Sequence, residues 1–190
     1  YNEAKTIFQK CLEIDENFAH AYVALASIYK VQNNFSECIN LLNQVIRIDS
    51  NNSRAMLELG IIYSHLGEVN KGISLLKKSL EIDPFNRETK FNLGQMQIYN
   101  KDLKEGWSNF QSRWLYHNFK AIAFKSSKKQ LTSLNELENV LIWAEQGIGD
   151  QIMYGSMFTE ISKFSKKVIV KLDKRLIKIF ERKNKNIHFI

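Results

Sequence analysis

The chain has 190 residues, of which 44% are hydrophobic and 25% charged, a composition typical of one modest or two small globular domains. It contains no run of about 18 apolar residues, so the sequence predicts no membrane-spanning helix. The formal charge of +7 lies entirely in the last third, because residues 1–118 hold 13 Lys and Arg against 13 Asp and Glu, whereas residues 119–190 hold 14 against 7.

A pattern with a period of 34 residues runs through the first part of the chain. The recurring residues are Leu25, Leu59 and Leu93; Ile14, Ile48 and Ile82; the small Ala26, Gly60 and Gly94; and the small Ala4, Cys38, Gly72 and Gly106. This period is typical of a solenoid of helix pairs, in which small residues mark the places where neighbouring backbones approach closely. Asp15, Asp49 and Asp83 also recur, and we expect them to accept backbone hydrogen bonds at the start of the next helix.

The third copy contains Leu59-Gly60, Tyr63, Gly67, Gly72 and Asp83-Pro84, and this motif resembles the tetratricopeptide repeat. The resemblance predicts an all-α superhelix of about three and a half repeats over residues 1–118. The first repeat is truncated, because the chain begins at the position of Phe35 and Val69, where a second helix starts. We therefore expect the chain to be an internal fragment of a longer protein.

The resemblance implies that the first helix of each pair lines a concave face that binds a protein or peptide. The predicted partner-binding residues are His20, Ala24, Ser27, Arg54, Glu58, Ile61, Glu88, Asn92 and Gln95. Their charges are mixed, and they lack the Lys and Asn clamp that captures a peptide carboxylate. Cys11 and Cys38 occupy small-residue positions and are predicted to be buried thiols of a reducing compartment, which favours a cytoplasmic location.

The repeat pattern ends after Trp114, and a Lys- and Ser-rich stretch predicts a linker over residues 119–138. Residues 139–190 then alternate between short apolar runs and amphipathic stretches. We predict strands over residues 140–144, 168–172 and 186–190 and helices over residues 151–164 and 174–183. This alternation predicts a parallel sheet with crossover helices, the first part of an α/β Rossmann-like domain.

The turn after the first of these strands, residues 145–150, lies where open α/β sheets bind their ligands. Gly147 and Gly149 permit a tight or left-handed turn, and the helix that follows presents free N–H groups to an anion or oxyanion. A dinucleotide site would need a third glycine where Ile152 lies, although Asp173 would suit a ribose hydroxyl. Asp150 would cap the helix, act as a general base towards a hydroxyl nucleophile, or do both.

Residues 144–150, Ala-Glu-Gln-Gly-Ile-Gly-Asp, resemble the start of the glycosyltransferase-like domains that bacteria attach to tetratricopeptide repeats. The Gly-x-Gly-Asp turn is also similar to that of heptosyltransferase-type enzymes, which have the two-domain GT-B arrangement. Residues 105–114 look like the last repeat helix before such a domain. The resemblance implies transfer of a sugar from a nucleotide-activated donor to an acceptor hydroxyl, with residues 139–190 as the incomplete start of the GT-B N-terminal domain.

By this resemblance Asp150 is the catalytic base, and Gln146, Gly147, Gly149 and Gln151 contact the substrate. No metal is expected, because the four histidines, at positions 20, 65, 117 and 188, lack the spacing of metal ligands. No cofactor is expected either, since the nucleotide sugar is itself a substrate. The fragment alone is expected to be inactive, because donor sites of GT-B enzymes lie mostly in their second domain.

Two classes of function remain open: a repeat-linked glycosyltransferase, and a non-enzymatic scaffold for protein–protein interaction. The basic residues 119–190 would attract a nucleotide diphosphate, an anionic lipid or nucleic acid, or would form a solvated face. Nucleic acid is disfavoured because the sequence has no binding motif and no stripe of alternating basic and aromatic residues. Peripheral contact with a membrane stays compatible with the sequence.

Overall fold

The computed structural model describes residues 2–115, 131, 137–145 and 147–190. The chain forms two compact units, residues 1–119 and residues 120–190. Most of the predicted linker, residues 119–138, lies outside the described residues. Its last two positions, Leu137 and Glu138, already belong to the first strand of the second unit.

The first unit is helical throughout its described part. Its elements are α1 (Asn2–Ile14), α2 (Ala19–Val31), α3 (Phe35–Ile48), α4 (Ser53–His65), α5 (Val69–Ile82), α6 (Arg87–Tyr99), α7 (Leu103–Phe110) and a 3₁₀ turn (Gln111–Leu115). Helices α2 and α3, α4 and α5, and α6 and α7 pack most extensively as pairs. The predicted helix pairs with a 34-residue period are therefore confirmed in the described part of this unit.

The core of the first unit is formed by the large residues of the repeat. Leu25, Leu59 and Leu93 are each at most 3% exposed, as their recurrence predicts. Burial of such side chains supplies most of the stability of a helix pair, at roughly 1.5–3 kcal/mol for each. Ile14, Ile48 and Ile82 recur equally well but are exposed. They are the last residues of α1, α3 and α5, so their regular spacing marks helix ends instead of core positions.

Glycines allow the paired helices to come into backbone contact. A Cβ atom built on Gly72 would lie 2.8 Å from the carbonyl oxygen of Gly60, and one built on Gly94 would lie 2.5 Å from the backbone nitrogen of Phe110. These distances leave no room for a methyl group. The sequence prediction that small residues mark close approaches is confirmed at these positions.

The turns between helices also follow the repeat. Asn33, Gly67 and Lys101 occupy the same repeat position, and all three have a positive φ, of 58°, 82° and 66°. The recurring aspartates do not cap the next helix as expected. The N-cap of α4 is Asn52, whose side chain accepts a hydrogen bond from the backbone N–H of Ala55. The N-cap of α6 is Asn86, whose side chain accepts from the backbone N–H of Thr89.

The aspartates instead support the turns that contain those caps. Asp49 accepts from the backbone N–H of Asn51 and from the carboxamide of Asn52, and Asp83 accepts from the carboxamide of Asn86. The reason is position: Asp49 and Asp83 follow the last residues of α3 and α5, three residues before the caps.

The second unit contains a three-stranded parallel sheet in the order β1-β2-β3. Its described elements are β1 (Leu137–Trp143), α8 (Ile148–Gly155), α9 (Phe158–Lys163), β2 (Ser165–Lys171), α10 (Lys174–Glu181) and β3 (Ile187–Phe189). Val168 and Val170 of β2 belong to one hydrophobic cluster together with Phe158 of α9 and Leu176 of α10. Both helices therefore cover the same face of the sheet, and the predicted strand and helix alternation is confirmed.

One predicted helix differs from the structure. Residues 151–164 do not form a continuous helix, because α8 ends at Gly155 and α9 begins at Phe158. Ile152, Met153 and Met157 have the spacing of a core-facing stripe on such a helix, yet they are 53–58% exposed. The inward face of α8 instead contains Gly155, where a Cβ atom would collide with the ring of Phe180.

Candidate functional site

The nine predicted partner-binding residues occupy three equivalent positions on the first helices α2, α4 and α6. The structure divides them into three groups. His20, Ala24 and Ser27 lie on α2, Arg54, Glu58 and Glu88 form ion pairs, and Ile61, Asn92 and Gln95 line a groove. The first group does not line this groove, and the hydroxyl of Ser27 donates to the carbonyl oxygen of Val23 in its own helix.

Charged residues connect the three first helices. The carboxylate of Glu58 on α4 pairs with Lys30 of α2 through one oxygen and with Arg54 through the other, each at 2.5 Å. Arg54 continues the chain of ion pairs to Glu88 of α6, at 2.9 Å. Burial alone would lower the pKa of Arg54, but the charges of Glu58 and Glu88 outweigh burial and raise it.

Glu58 is only 4% exposed, and a buried carboxylate is costly unless it is paired. Here each of its two oxygens has a cationic partner, which offsets that cost. Lys30 and Arg54 are therefore already paired with a carboxylate of the protein itself. To bind the terminal carboxylate of a peptide, either cation would have to give up its ion pair with Glu58.

A groove of about 270 Å³ lies between the first helices α4 and α6, next to the start of α5. Its lining residues are Ile61, Ser64, His65, Val69, Asn92, Gln95, Met96 and Tyr99. None of these side chains has a permanent charge. The groove therefore offers apolar surface together with neutral hydrogen-bonding groups, an arrangement that suits an apolar side chain and its adjoining peptide bonds.

Two polar residues of the groove are set up differently. The amide nitrogen of Asn92 donates to the carbonyl oxygen of Glu88 at 2.8 Å, which fixes the carboxamide and leaves its oxygen as an acceptor. Gln95 is exposed and makes no hydrogen bond within the described part of the chain. Its carboxamide can both donate to and accept from a peptide backbone.

Sequence reasoning missed the aromatic side of this groove. His65 and Tyr99 occupy one repeat position, and His65 stacks on Phe35 with ring centroids 6.1 Å apart. Tyr99 is 77% exposed, and Val31 at the same repeat position is also exposed. The sequence signal that could have revealed this side of the groove was the recurrence of a large residue at one repeat position, as Val31, His65 and Tyr99.

The predicted catalytic turn lies at the carboxyl end of β1. Gly147 is the N-cap of α8, with φ of −63°, and Gly149 lies within the helix, so neither glycine has the left-handed backbone that was considered. Asp150 is in the first turn of α8, is half-buried and does not cap the helix. It has no hydrogen bond to any residue that the structure describes.

The other two predicted substrate contacts are Gln146 and Gln151. Gln146 lies outside the described residues. The carboxamide oxygen of Gln151 accepts from the backbone N–H of Asp173 at 2.8 Å, and so connects α8 to the start of α10. Asp173 itself caps α10 and pairs with Arg175, and hydrogen bonds from the side chain and backbone of Arg175 lower its pKa to about 2.

Three further features of the described residues bear on this site and on the chain as a whole. No three of their His, Cys, Asp and Glu side chains come together in a way that would hold a metal ion. None of the described helices is both long enough and apolar enough to cross a membrane. Cys38 is buried and Cys11 half-buried, and both are free thiols.

Family models for the tetratricopeptide repeat match residues 1–55 and residues 53–86, so this part of the chain consists of tetratricopeptide repeats. No curated protein matches the chain significantly.

Solved structures show the same fold. A crystal structure of MamA is 23% identical, with a TM-score of 0.53, over 58% of this chain and 65% of that one. MamA from Desulfovibrio magneticus RS-1 is 24% identical, with a TM-score of 0.52, over 58% and 63%. The first repeat domain of Spaghetti (RPAP3), bound to the HSP90 peptide SRMEEVD, is 19% identical, with a TM-score of 0.51, over 53% and 80%.

The matches to MamA span less than two thirds of the MamA chains. At these identities the likeness establishes the helical repeat fold and nothing about partners.

Proposed function

We propose that the tetratricopeptide repeats of this chain form a protein-interaction module that binds a peptide segment in the groove between α4 and α6. The observation that carries the proposal is that this groove is neutral and partly apolar, while the charges of the same helices pair with one another. A related fold in RPAP3 is bound to a peptide, which supports the choice of ligand class.

The size of the groove limits what it holds. A volume of about 270 Å³ is below the roughly 300–1,000 Å³ of typical small-molecule sites. It suits one or two side chains of a peptide lying across the helices. Ile61, Val69 and Met96 provide the apolar contact, and Tyr99 supplies an exposed aromatic ring of the type that dominates interface energies.

The electrostatics select against an acidic terminus as the main anchor. Arg54 and Lys30 are engaged by Glu58, and freeing either of them would leave a buried carboxylate short of a partner. The groove's own donors and acceptors, Asn92 and Gln95, are neutral. The bound segment is therefore an internal stretch of a partner, anchored by an apolar side chain and by peptide hydrogen bonds.

Selection from a library of random displayed peptides tests this proposal. We expect the enriched peptides to share an apolar or aromatic position and to bind equally well as C-terminal acids and C-terminal amides. The proposal fails if the enriched peptides share an acidic C-terminus and lose their affinity when it is amidated.

A second candidate is sugar transfer by a GT-B-type glycosyltransferase that begins in the second unit, with the repeats positioning the acceptor. The supporting observation is the place of Asp150, half-buried at the carboxyl end of β1 and without a hydrogen bond to any described residue. A carboxylate in that place is available to orient an acceptor hydroxyl.

In this reaction Asp150 accepts the hydroxyl proton as the acceptor oxygen bonds to the anomeric carbon. The bond from that carbon to the donor phosphate breaks, and the nucleoside diphosphate leaves with its electrons. The test uses the product of the whole reading frame supplied with nucleotide sugars. Asp150→Asn should abolish transfer and leave folding intact, and unchanged turnover removes Asp150 from the mechanism.

A further inference from the structure

The outer face of α10 is a row of cations. Lys174, Lys178 and Arg182 follow one another at intervals of four residues, and all three are exposed. Four residues correspond to a little over one helical turn, so these side chains lie along one side of the helix, about 12 Å from first to last. Lys183 and Lys185 continue the positive charge in the turn that leads to β3.

The row has one acid on its own helix, Glu181, which is exposed three residues after Lys178 and forms no ion pair with any residue that the structure describes. Among the residues that the structure describes, no carboxylate lies within ion-pair distance of Lys174, Lys178 or Arg182. By contrast, Arg175 of the same helix pairs with Asp173, and Lys163 of α9 pairs with Glu160. Like charges at intervals of four residues repel one another and weaken a helix, so the row gains stability when an anionic surface approaches it.

An apolar side chain lies beside the cations. Ile179 is 57% exposed, next in sequence to Lys178 and four residues before Lys183. The other apolar residues of α10, Leu176, Ile177 and Phe180, pack in the core of the unit. An exposed aliphatic residue flanked by cations matches a helix that lies on a lipid bilayer, with its cations at the headgroups and the aliphatic side chain entering the acyl boundary.

Nucleic acid fits this face less well. The aromatic residue of α10, Phe180, is packed in the core and cannot stack on a base.

We infer that the outer face of α10 and the turn that follows it, formed by Lys174, Lys178, Ile179, Arg182, Lys183 and Lys185, are a docking surface for the anionic lipids of a membrane. The contact is peripheral and electrostatic, and Ile179 adds a shallow apolar anchor. It does not depend on the peptide groove of the repeats, because its residues belong to the other unit.

Co-sedimentation of the full chain with lipid vesicles tests this inference. We expect binding to phosphatidylcholine vesicles that contain about one third phosphatidylglycerol, and none to phosphatidylcholine alone. Binding should decrease steeply as salt rises from about 50 to 300 mM, because the Debye length shortens. Equal binding to both kinds of vesicle, or no binding to either, overturns the inference.

Variants locate the surface. Each cation near an anionic membrane contributes roughly a fivefold increase in binding, so Lys178→Gln with Arg182→Gln should reduce vesicle binding roughly 25-fold. The matched control is Lys77→Gln with Lys78→Gln, two exposed lysines of α5 that should change nothing. If the α10 variant unfolds, Lys183→Gln with Lys185→Gln tests the same surface outside the helix.

Ile179→Ser separates the apolar anchor from the charges. It should lower binding to anionic vesicles and leave the salt dependence intact. The same samples are titrated with single-stranded and duplex oligonucleotides. If the Lys178 and Arg182 variant loses oligonucleotide binding while vesicle binding is absent or unchanged, the surface recognises nucleic acid and the inference is wrong.

Discussion

Glu58 on α4 and Lys30 on α2 form an ion pair that joins the first helices of two consecutive repeats, with Nζ and Oε2 2.5 Å apart. The second oxygen of Glu58 pairs with Arg54, which reaches Glu88 on α6. These ion pairs connect the first helices α2, α4 and α6, and they leave Lys30 and Arg54 already paired with carboxylates. The side chains that line the adjacent groove are uncharged, which is why we assign it an apolar peptide partner.

Removing the cation of this pair should destabilise the repeats. Lys30→Met retains most of the aliphatic stem but leaves one oxygen of the buried Glu58 without its cation. We expect the free energy of unfolding to fall by about 1–3 kcal/mol in urea denaturation. Lys77→Met, at an exposed position of α5, should change it by less than about 0.5 kcal/mol. Equal effects of the two substitutions would contradict a structural role for the pair.

Two glycines should respond oppositely to alanine. Gly94→Ala places a methyl group 2.5 Å from the backbone nitrogen of Phe110, and should cost about 1–3 kcal/mol or more because the backbone must move. Gly149→Ala meets no atom within 4 Å and lies in the first turn of α8, so it should stabilise that helix by up to about 1 kcal/mol. Thermal unfolding of both variants measures the difference. A stable Gly94→Ala variant would show that α6 and α7 are not in backbone contact.

Lys101 is held in a backbone conformation that glycine adopts more readily. Its φ of 66° is shared with Gly67, which occupies the same position one repeat earlier. Lys101→Gly should therefore raise the free energy of unfolding by about 0.5–1 kcal/mol, despite the greater flexibility of glycine in the unfolded chain. Lys77→Gly, in the interior of α5, should lower it by about 1 kcal/mol. A loss of stability on Lys101→Gly would be evidence against this turn.

The carboxylate of Asp173 should make stability depend on pH only in strong acid. Its hydrogen bonds with Arg175 lower its pKa from 3.8 to about 2 in the folded chain. Because the folded pKa is depressed, the contribution is complete above about pH 4 and disappears as the pH falls through about 2. Asp173→Asn retains a capping side chain and removes this charge. The stability difference between the two proteins should therefore vanish near pH 2, and a difference that persists there would contradict the assignment.

The helical repeats were largely predictable because a period of 34 residues specifies both the helices and their contacts. The predicted starts at Phe35 and Val69 are the observed starts of α3 and α5. The break between α8 and α9 was not predictable from apolar spacing. The spacing of Ile152, Met153 and Met157 suggested a buried stripe, but these residues are exposed. The side of α8 that faces the core contains Gly155, where any larger side chain would collide with the ring of Phe180.

The candidate site was predicted only in part. The repeat placed Ile61, Asn92 and Gln95 on the inner face, where they line the groove. It did not show that Arg54 and Glu58 neutralise each other, since an ion pair depends on side-chain orientation within and between helices. A hint was present in Arg54 and Glu88, which have opposite charge and are separated by one whole repeat.

The most direct test of the account is the affinity of a selected peptide for two aromatic variants of the chain, measured by isothermal titration calorimetry. Tyr99 borders the groove and is 77% exposed, whereas Phe85 is 87% exposed and lies outside the groove. Tyr99→Ala should weaken binding at least about tenfold, and Phe85→Ala should leave it unchanged. Equal affinities, or a loss confined to Phe85→Ala, would show that the partner does not bind in the groove between α4 and α6.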